Sequence, residues 1–358
     1  NKMKIKSITS WVADLENTRP YTIAFKTVDQ VRNVFLEIVL ENGLTGIGSG
    51  NPSEYVVGES FDQCVQALQP DRLEFLIGRD IREMQDLLWE VFGKFPNNPG
   101  ARNALDIALH DAFTRYLDIP LHQFLGVRIK PLATSVTIGI KNVAETVEET
   151  DEYYGMGYRV IKVKLGHSVE EDIERLQKMR EKYGNEIIIR IDANQGYDLD
   201  TTIDFFHRTK SLNIELIEQP IKASAIEEMK SLPWEIREKI AADESLITAK
   251  DAFRLLSGER ACGIFNIKLM KCGGIFQGQR IANIALASGT DLMWGCNDES
   301  AVSITAALNV AYSYPNTRYI DLDGSLDLVK DVVKGGFTIE NGYMRPSDKP
   351  GLGVERIR

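Results

Sequence analysis

The stretch "YRVIKVKLG", residues 158–166, reads as a β-strand closed by Gly166. Side chains alternate along a strand, so Ile161, Val163 and Leu165 make one wholly apolar face. Lys162 and Lys164 share the other. The apolar face predicts burial against a helix. The lysine face needs a chemical reason, and the search for it sets the fold.

Downstream, the same grammar recurs. From about residue 132 the chain alternates strand and helix, with candidate strands "ATSVTIG", "RVIKVKL", "EIIIRIDAN", "IELIEQP", "KIAADES", "GIFNIKL", "DLMWGC" and "RYIDLD". Between them lie helical patterns such as "VEEDIERLQKMREKYG", where Val169, Ile173, Leu176 and Met179 keep one face. Eight strands in strict alternation predict an α/β fold: a modified TIM barrel of (β/α)7β type over residues 126–325. Upstream, residues 1–125 predict a small α+β domain. "VFLEIVL" runs into a hairpin turn at Asn42-Gly43, and helical patterns follow at "SFDQCVQAL", "IREMQDLLWEVFG" and "ARNALDIALHDAFTRYL". The last of these has an apolar face near Leu105, Ala108, Leu109 and Ala112. The tail, 326–358, is expected to return to the first domain as a further hairpin.

Composition narrows the function classes. The 358 residues suffice for two domains, and the net charge of −10 argues against a nucleic-acid or anionic-membrane partner. No apolar run approaches the roughly 20 residues of a membrane span, and no signal-peptide pattern opens the sequence. Four scattered cysteines without CxxC spacing suit free thiols in a reducing cytoplasm. The expectation is a soluble cytoplasmic protein.

The polar residues keep a beat. Lys164, Asp192, Glu218, Asp243 and Lys268 are separated by 28, 26, 25 and 25 residues, one βα unit each time. That interval predicts one height for all five, on the C-terminal rim where such barrels carry their chemistry. Strand alternation adds that Lys162, Lys164, Asp192 and Asn194 point inward. Three carboxylates at adjacent strand ends repel one another, and three oxygen ligands completed by water or substrate suit Mg²⁺. The plainer alternative is a structural ion-pair network. Five phased strands weigh against it, because buried pairs gain little over apolar packing.

Lys164 and Lys268 lie nearly opposite each other in a closed barrel, so a substrate over the metal meets an amine on each face. Burial and the neighbouring Lys162 are expected to lower the Lys164 pKa. Opposed bases and a divalent ion suit removal of a proton α to a carboxylate. The ion stabilises the enediolate and the second lysine reprotonates the other face.

These motifs resemble the enolase superfamily, and within it the muconate-lactonizing subgroup: "IKVK", "DANQ", "EQP", "ADES" and "IKLMKCGG", in order along the barrel. The resemblance covers essentially the whole chain and makes the first domain a capping domain. It implies Mg²⁺ on Asp192, Glu218 and Asp243 and an acid/base pair of Lys164 and Lys268. Lys162 would assist, with Asn194 and Glu244 supporting from behind. The branch that uses a His–Asp dyad from strands six and seven is excluded, because His110, His122, His167 and His207 lie elsewhere. Asp321 and Asp323 in "DLD" form an acidic pair suited to an ammonium group, unless they are a solvated turn. The pair resembles the DxD motif of dipeptide epimerases, which implies isomerisation at the α-carbon of the C-terminal residue of a dipeptide. N-acylamino acid racemase, o-succinylbenzoate synthase or cycloisomerase activity is the alternative.

Specificity is harder to read. Lys26, in "RPYTIAFKTV", could pair with a side-chain carboxylate as in Ala-Glu epimerases, or be a solvated lysine. Tyr55 in "NPSEYVVGES" offers an apolar lid. "GCNDES" carries Cys296 and Asp298; Asp298 would oppose an acidic N-terminal residue and could welcome a polar or cationic one, unless it caps the next helix. Thr137 could touch substrate. Ala-Glu and Ala-Ala-like dipeptides both stay open. The barrels of this family commonly self-associate, which implies a homo-oligomer.

Overall fold

The computed structural model describes residues 3–17, 21–23, 26–28, 30–166 and 168–358, without the side chains of 21–23 and 26–28. Eight parallel strands follow one another around a ring: Val136–Ile138, Val160–Lys164, Ile188–Asp192, Ile214–Glu218, Ile240–Ala242, Ile264–Ile267, Asp291–Trp294 and Thr317–Ile320. A parallel bridge between Thr134 and Ile320 brings the last strand back to the first, where Ser135 N donates to Ile320 O at 3.2 Å. Every strand but the last is followed by a helix, which gives the (β/α)7β barrel. Lys164, Asp192 and Glu218 are the last residues of their strands, whereas Asp243 and Lys268 stand just past the ends of theirs.

The helix Val169–Tyr183 shows how local sequence builds these units. Ser168 accepts the Glu171 amide at 3.1 Å, and Glu170, Glu171 and Asp172 occupy the positive first turn. Ile173, Leu176 and Met179 are buried against the barrel, where Ile161, Val163 and Leu165 are also fully enclosed.

Ahead of the barrel, strands Ile5–Asp14, Arg32–Leu40 and Thr45–Gly50 form an antiparallel sheet with its turn at Gly43, φ +90°. Helix Pro99–Tyr116 lies so close to the third strand that a Cβ on Gly48 would stand 1.8 Å from Ala104 O. The alternating glycines of "TGIGSG" are that approach surface. This helix departs from the single apolar face expected of it, since 15 of its 18 residues are buried. Its other side docks on the barrel: Arg102 Nη2 donates to Cys272 O at 3.1 Å, and the Asp106 carboxylate accepts the Ile275 and Phe276 amides at 2.8 and 3.1 Å.

In the tail, Phe337–Glu340 and Tyr343–Pro346 pair as an antiparallel hairpin. Met344 N donates to Leu132 O at 3.0 Å, and Leu352 N donates to Asp111 Oδ1 on the long helix at 2.8 Å. Among the described residues no helix is long and apolar enough to cross a membrane. All four cysteines are free thiols.

Candidate active site

Strand register explains how the five phased residues meet. Lys164 is the cross-strand partner of Asp192, and Asp192 of Glu218. After that the ring climbs. Glu218 faces Ala241, two residues before Asp243, and Ala242 faces Phe265, so Lys268 also stands two residues beyond the partner of Asp243. Four strand steps thus carry a total offset of four residues. A barrel of eight strands with a shear of about 8 needs roughly one residue of offset per strand to hold a ring at constant height. The four residues of register offset over four strand steps keep the ring level.

The cationic and anionic groups of the floor are interlocked. Lys162 Nζ donates to Glu218 Oε2 at 3.2 Å and to Asp321 Oδ2. Lys164 Nζ donates to Asp192 Oδ2 at 3.1 Å and approaches Asn194 Oδ1 at 3.4 Å. Asn194 also donates its own amide to Asp192 Oδ1 at 2.9 Å. Opposite, Lys268 Nζ donates to Asp243 Oδ2 at 2.8 Å. Burial favours a neutral amine, but Asp321 and Glu218 outweigh it at Lys162, and Asp243 and Glu218 outweigh it at Lys268, so both ammonium groups are held above their ordinary pKa. Lys162 bridges Glu218 and Asp321.

Several supporting residues had no assigned role in the sequence. Lys271, one turn past Lys268, donates to Asp243 Oδ1 and Asp243 O, each at 2.7 Å, and to Asn266 O at 3.0 Å. Asn266 Nδ2 donates to Glu218 Oε1 at 2.7 Å. Gln219 Oε1 accepts the amides of Asp243 and Ser245 and the Ser245 hydroxyl, at 2.9, 3.2 and 2.8 Å. Lys271 and Gln219 sit inside the quoted motifs, and the spacing of three from Lys268 was the available signal for Lys271.

The donor set fits a hard divalent cation in its chemistry. Burial pushes the Glu218 carboxyl up to about 8; Lys162 pulls against it, while Asp192 and Asp243 add to it. Burial also raises Glu244, with Asp243 and Asp192 adding to it, and Glu244 Oε2 is enclosed without a hydrogen-bond partner. At Asp243, Lys268 and Lys271 overcome burial and hold the carboxyl well below its usual range. With the carboxylates turned to lysines, no three acidic, histidine or cysteine side chains among the described residues already converge as a metal shell. Crowded oxygen donors with an orphaned acid beside them are what a cation would relieve.

Above the floor lies a cleft of about 860 Å³. Lys164, Lys268, Asp192 and Asp243 line it, as do Thr137, Cys296, Asp298, Asp321, Asp323 and Tyr55; Glu218 lies beneath. Asp321 is buried and accepts from Ser135 Oγ at 2.6 Å as well as from Lys162. Asp323 is half-buried, accepts from the Thr137 hydroxyl, and is pushed up to about 7 by burial and Asp321. Cys296 Sγ donates to Asp321 O at 3.3 Å. Burial, with Asp323 and Asp327 behind it, raises Asp298 to about 7. Asn51 of the first domain reaches over this edge, its Nδ2 donating to Asp298 O at 2.7 Å. Tyr55, in the short helix Glu54–Val57, is 65% exposed at the mouth. The Lys26 side chain lies outside the described residues. Glu149 and Asp327 also line the cleft; each stands on a segment that carries no strand beat to announce it.

Comparison with known proteins agrees with this architecture. Residues 7–126 match the mandelate racemase / muconate lactonizing enzyme N-terminal domain, and residues 145–356 the enolase C-terminal domain-like family. An L-Lys-D/L-Arg epimerase of Desulforapulum autotrophicum is 50% identical over 99% of this chain and 100% of its own length. A dipeptide epimerase of Methylococcus capsulatus, solved with Mg and the dipeptide L-Arg-D-Lys, superposes with a TM-score of 0.97 at 47% identity, covering 98% of this chain and 99% of that one. The L-Ala-D/L-Glu epimerase of Bacillus subtilis, solved with substrate, gives a TM-score of 0.91 at 30% identity over 98% and 99% of the two chains. Matched along nearly its whole length in both domains, the chain belongs to the mandelate racemase / muconate lactonizing enzyme family of the enolase superfamily and stands among its dipeptide epimerases.

Proposed function

We propose that the protein is a Mg²⁺-dependent isomerase that epimerises dipeptides with cationic side chains at the α-carbon of the C-terminal residue. One observation carries the choice of side chain. Among the described residues, nine carboxylates line the cleft against four basic groups, Arg32, Lys162, Lys164 and Lys268. A lysine or arginine side chain relieves that imbalance, whereas a glutamate would add to it. The L-Lys-D/L-Arg epimerases at 50% and 47% identity support the same reading over Ala-Glu or Ala-Ala-like dipeptides.

Asp192, Glu218 and Asp243 would hold the ion, which when bound supplies positive charge against the substrate carboxylate. Asp192 and Asp243, serving as ligands, would release Lys164 and Lys268 from their ion pairs, and the two lysines would then face the α-carbon from opposite sides. The neutral lysine takes the α-proton and becomes an ammonium; the other delivers a proton to the opposite face. Asp321 and Asp323 receive the α-ammonium of the N-terminal residue, with Thr137 steadying Asp323. Asp298 faces the region of the cationic side chains.

The test is incubation with Mg²⁺ in D₂O and a panel holding Lys-Arg, Arg-Lys, Ala-Glu and Ala-Ala dipeptides and N-succinyl amino acids. The expected result is deuterium at the α-carbon and inversion, fastest for the cationic dipeptides. Turnover confined to the N-acylamino acids would replace the reading with a racemase.

A further inference from the structure

The end of the second barrel strand is held from behind by a charged side chain that the reaction does not use. Arg175, on helix Val169–Tyr183, is 0% exposed. Its guanidinium donates to three acceptors on three elements, each at 2.8 Å: Nη1 to Lys164 O, Nη2 to Gly139 O and Nε to Thr146 Oγ1. The Thr146 hydroxyl is itself fixed, donating to Asn142 O at 2.8 Å. Asp172 lies 3.7 Å from Nη1 and accepts from the Tyr197 hydroxyl at 3.2 Å.

Burying an arginine is costly unless every donor direction finds work. Here the acceptors are the carbonyls where strands one and two run out: Lys164 is the last residue of its strand and Gly139 follows the end of the first. The ladder no longer supplies a partner for those groups, and the planar fork of arginine spans both at once. A lysine in its place offers one point charge and cannot reach three separated acceptors.

We propose that Arg175 is the positioning residue for Lys164. It ties the Lys164 carbonyl to the end of strand one, and so fixes where the Lys164 ammonium stands against the substrate. This rests on Lys164 and Lys268 being the two proton-transferring lysines. Lys268 has separate supports, Asp243 and the Lys271 that grips it, so loss of Arg175 acts on one face of the substrate only.

The experiment uses full-length, Mg²⁺-loaded enzyme in D₂O and follows α-proton exchange with retention in recovered substrate, starting from each epimer separately. Lys164→Ala and Lys268→Ala serve as references that assign the faces. Arg175→Lys is expected to slow exchange ~10- to 100-fold for the epimer that Lys164→Ala silences. The other epimer should stay within about twofold, the latitude of an undisturbed site. Thr146→Val, which removes only the Nε acceptor, should show the same bias at smaller size, and carries the test if Arg175→Lys does not fold. If the two alanine variants show opposite preferences but the Arg175 and Thr146 variants slow both epimers alike, the positioning role is wrong. If the alanine variants show no opposite preferences, the two-lysine reading falls and this inference with it.

Discussion

The floor of the cleft and its rim are made differently. On the floor each group answers to several others: Asp243 is held by Lys268, Lys271 and the Gln219 amide oxygen, and Lys162 bridges Glu218 and Asp321. On the rim, Asp298, Asp323 and Asp327 face one another as like charges. A floor of balanced pairs fixes geometry, as proton transfer requires; a rim of unbalanced sign selects what enters. Disturbing the floor should therefore abolish chemistry for every substrate, and disturbing the rim should change the order of substrates.

The largest effect tests the floor. Replacing Lys164 or Lys268 by alanine should slow epimerisation by ~10²- to 10⁴-fold for cationic and neutral dipeptides alike. Each variant should still exchange the α-proton of one epimer, and the two should differ in which. Mass spectrometry of each epimer recovered from D₂O reads this. Interconversion at the wild-type rate in either variant would break the contrast between floor and rim.

Next comes a floor residue without a proposed proton-transfer role. Lys271→Met removes a buried ammonium from Asp243 and leaves Lys268 as its remaining cation. Unfolding free energy should fall by about 1.5–3 kcal/mol, the range for a hydrogen bond to a charged group. Chemical denaturation with and without Mg²⁺ measures it. The loss should shrink when Mg²⁺ is present, because an Asp243 carboxylate relieved of the Lys271 ammonium would bind the ion more tightly and so gain more stability from it than the wild type does.

The same division decides what the sequence could disclose. Strand periodicity and the βα interval pointed to Lys162, Lys164, Asp192, Glu218, Asp243 and Lys268, because inward-facing charges at the C-terminal ends of barrel strands meet at the cleft. Lys271 and Arg175 were harder to see, since two of the three partners of each are backbone carbonyls, which no pattern marks; only the spacing of three from Lys268 hinted at Lys271. The long helix Pro99–Tyr116 misled because a helix wedged between two layers needs polar groups such as Arg102 and Asp106 on its second buried face. On the rim, Glu149 and Asp327 come together only when the helix after strand one and the loop after strand eight close around the cleft.

A smaller effect tests the rim. Asp298→Asn keeps shape and removes a charge, so kcat/KM for Lys-Arg dipeptides should fall ~10-fold, in line with one charge-assisted contact. A neutral Ala-Ala dipeptide should be turned over as before. An equal fall for both would make Asp298 part of the floor.

The smallest effect is a pH dependence whose sign separates recognition from unfolding. Burial, Asp323 and Asp327 raise the Asp298 carboxyl from its ordinary 3.8 to about 7. Above that value it is an anion that attracts a cationic side chain. As pH falls through about 7 it becomes neutral, and kcat/KM for Lys-Arg dipeptides should fall with it, since that ratio reports the free enzyme. Stability should move the other way. A folded pKa above the unfolded one means the folded chain binds more protons between about 4 and 7, so this group's contribution to stability rises as pH falls across that window. Acid unfolding would lower both together. Melting temperature and kcat/KM measured side by side from pH 5 to 8 should therefore diverge in the wild type, and the acid limb of kcat/KM should flatten in Asp298→Asn. An unchanged limb in that variant would assign the titration to Asp323, which burial and Asp321 hold at a similar value, and would move the reading of the cation from the strand-seven edge to the end of strand eight.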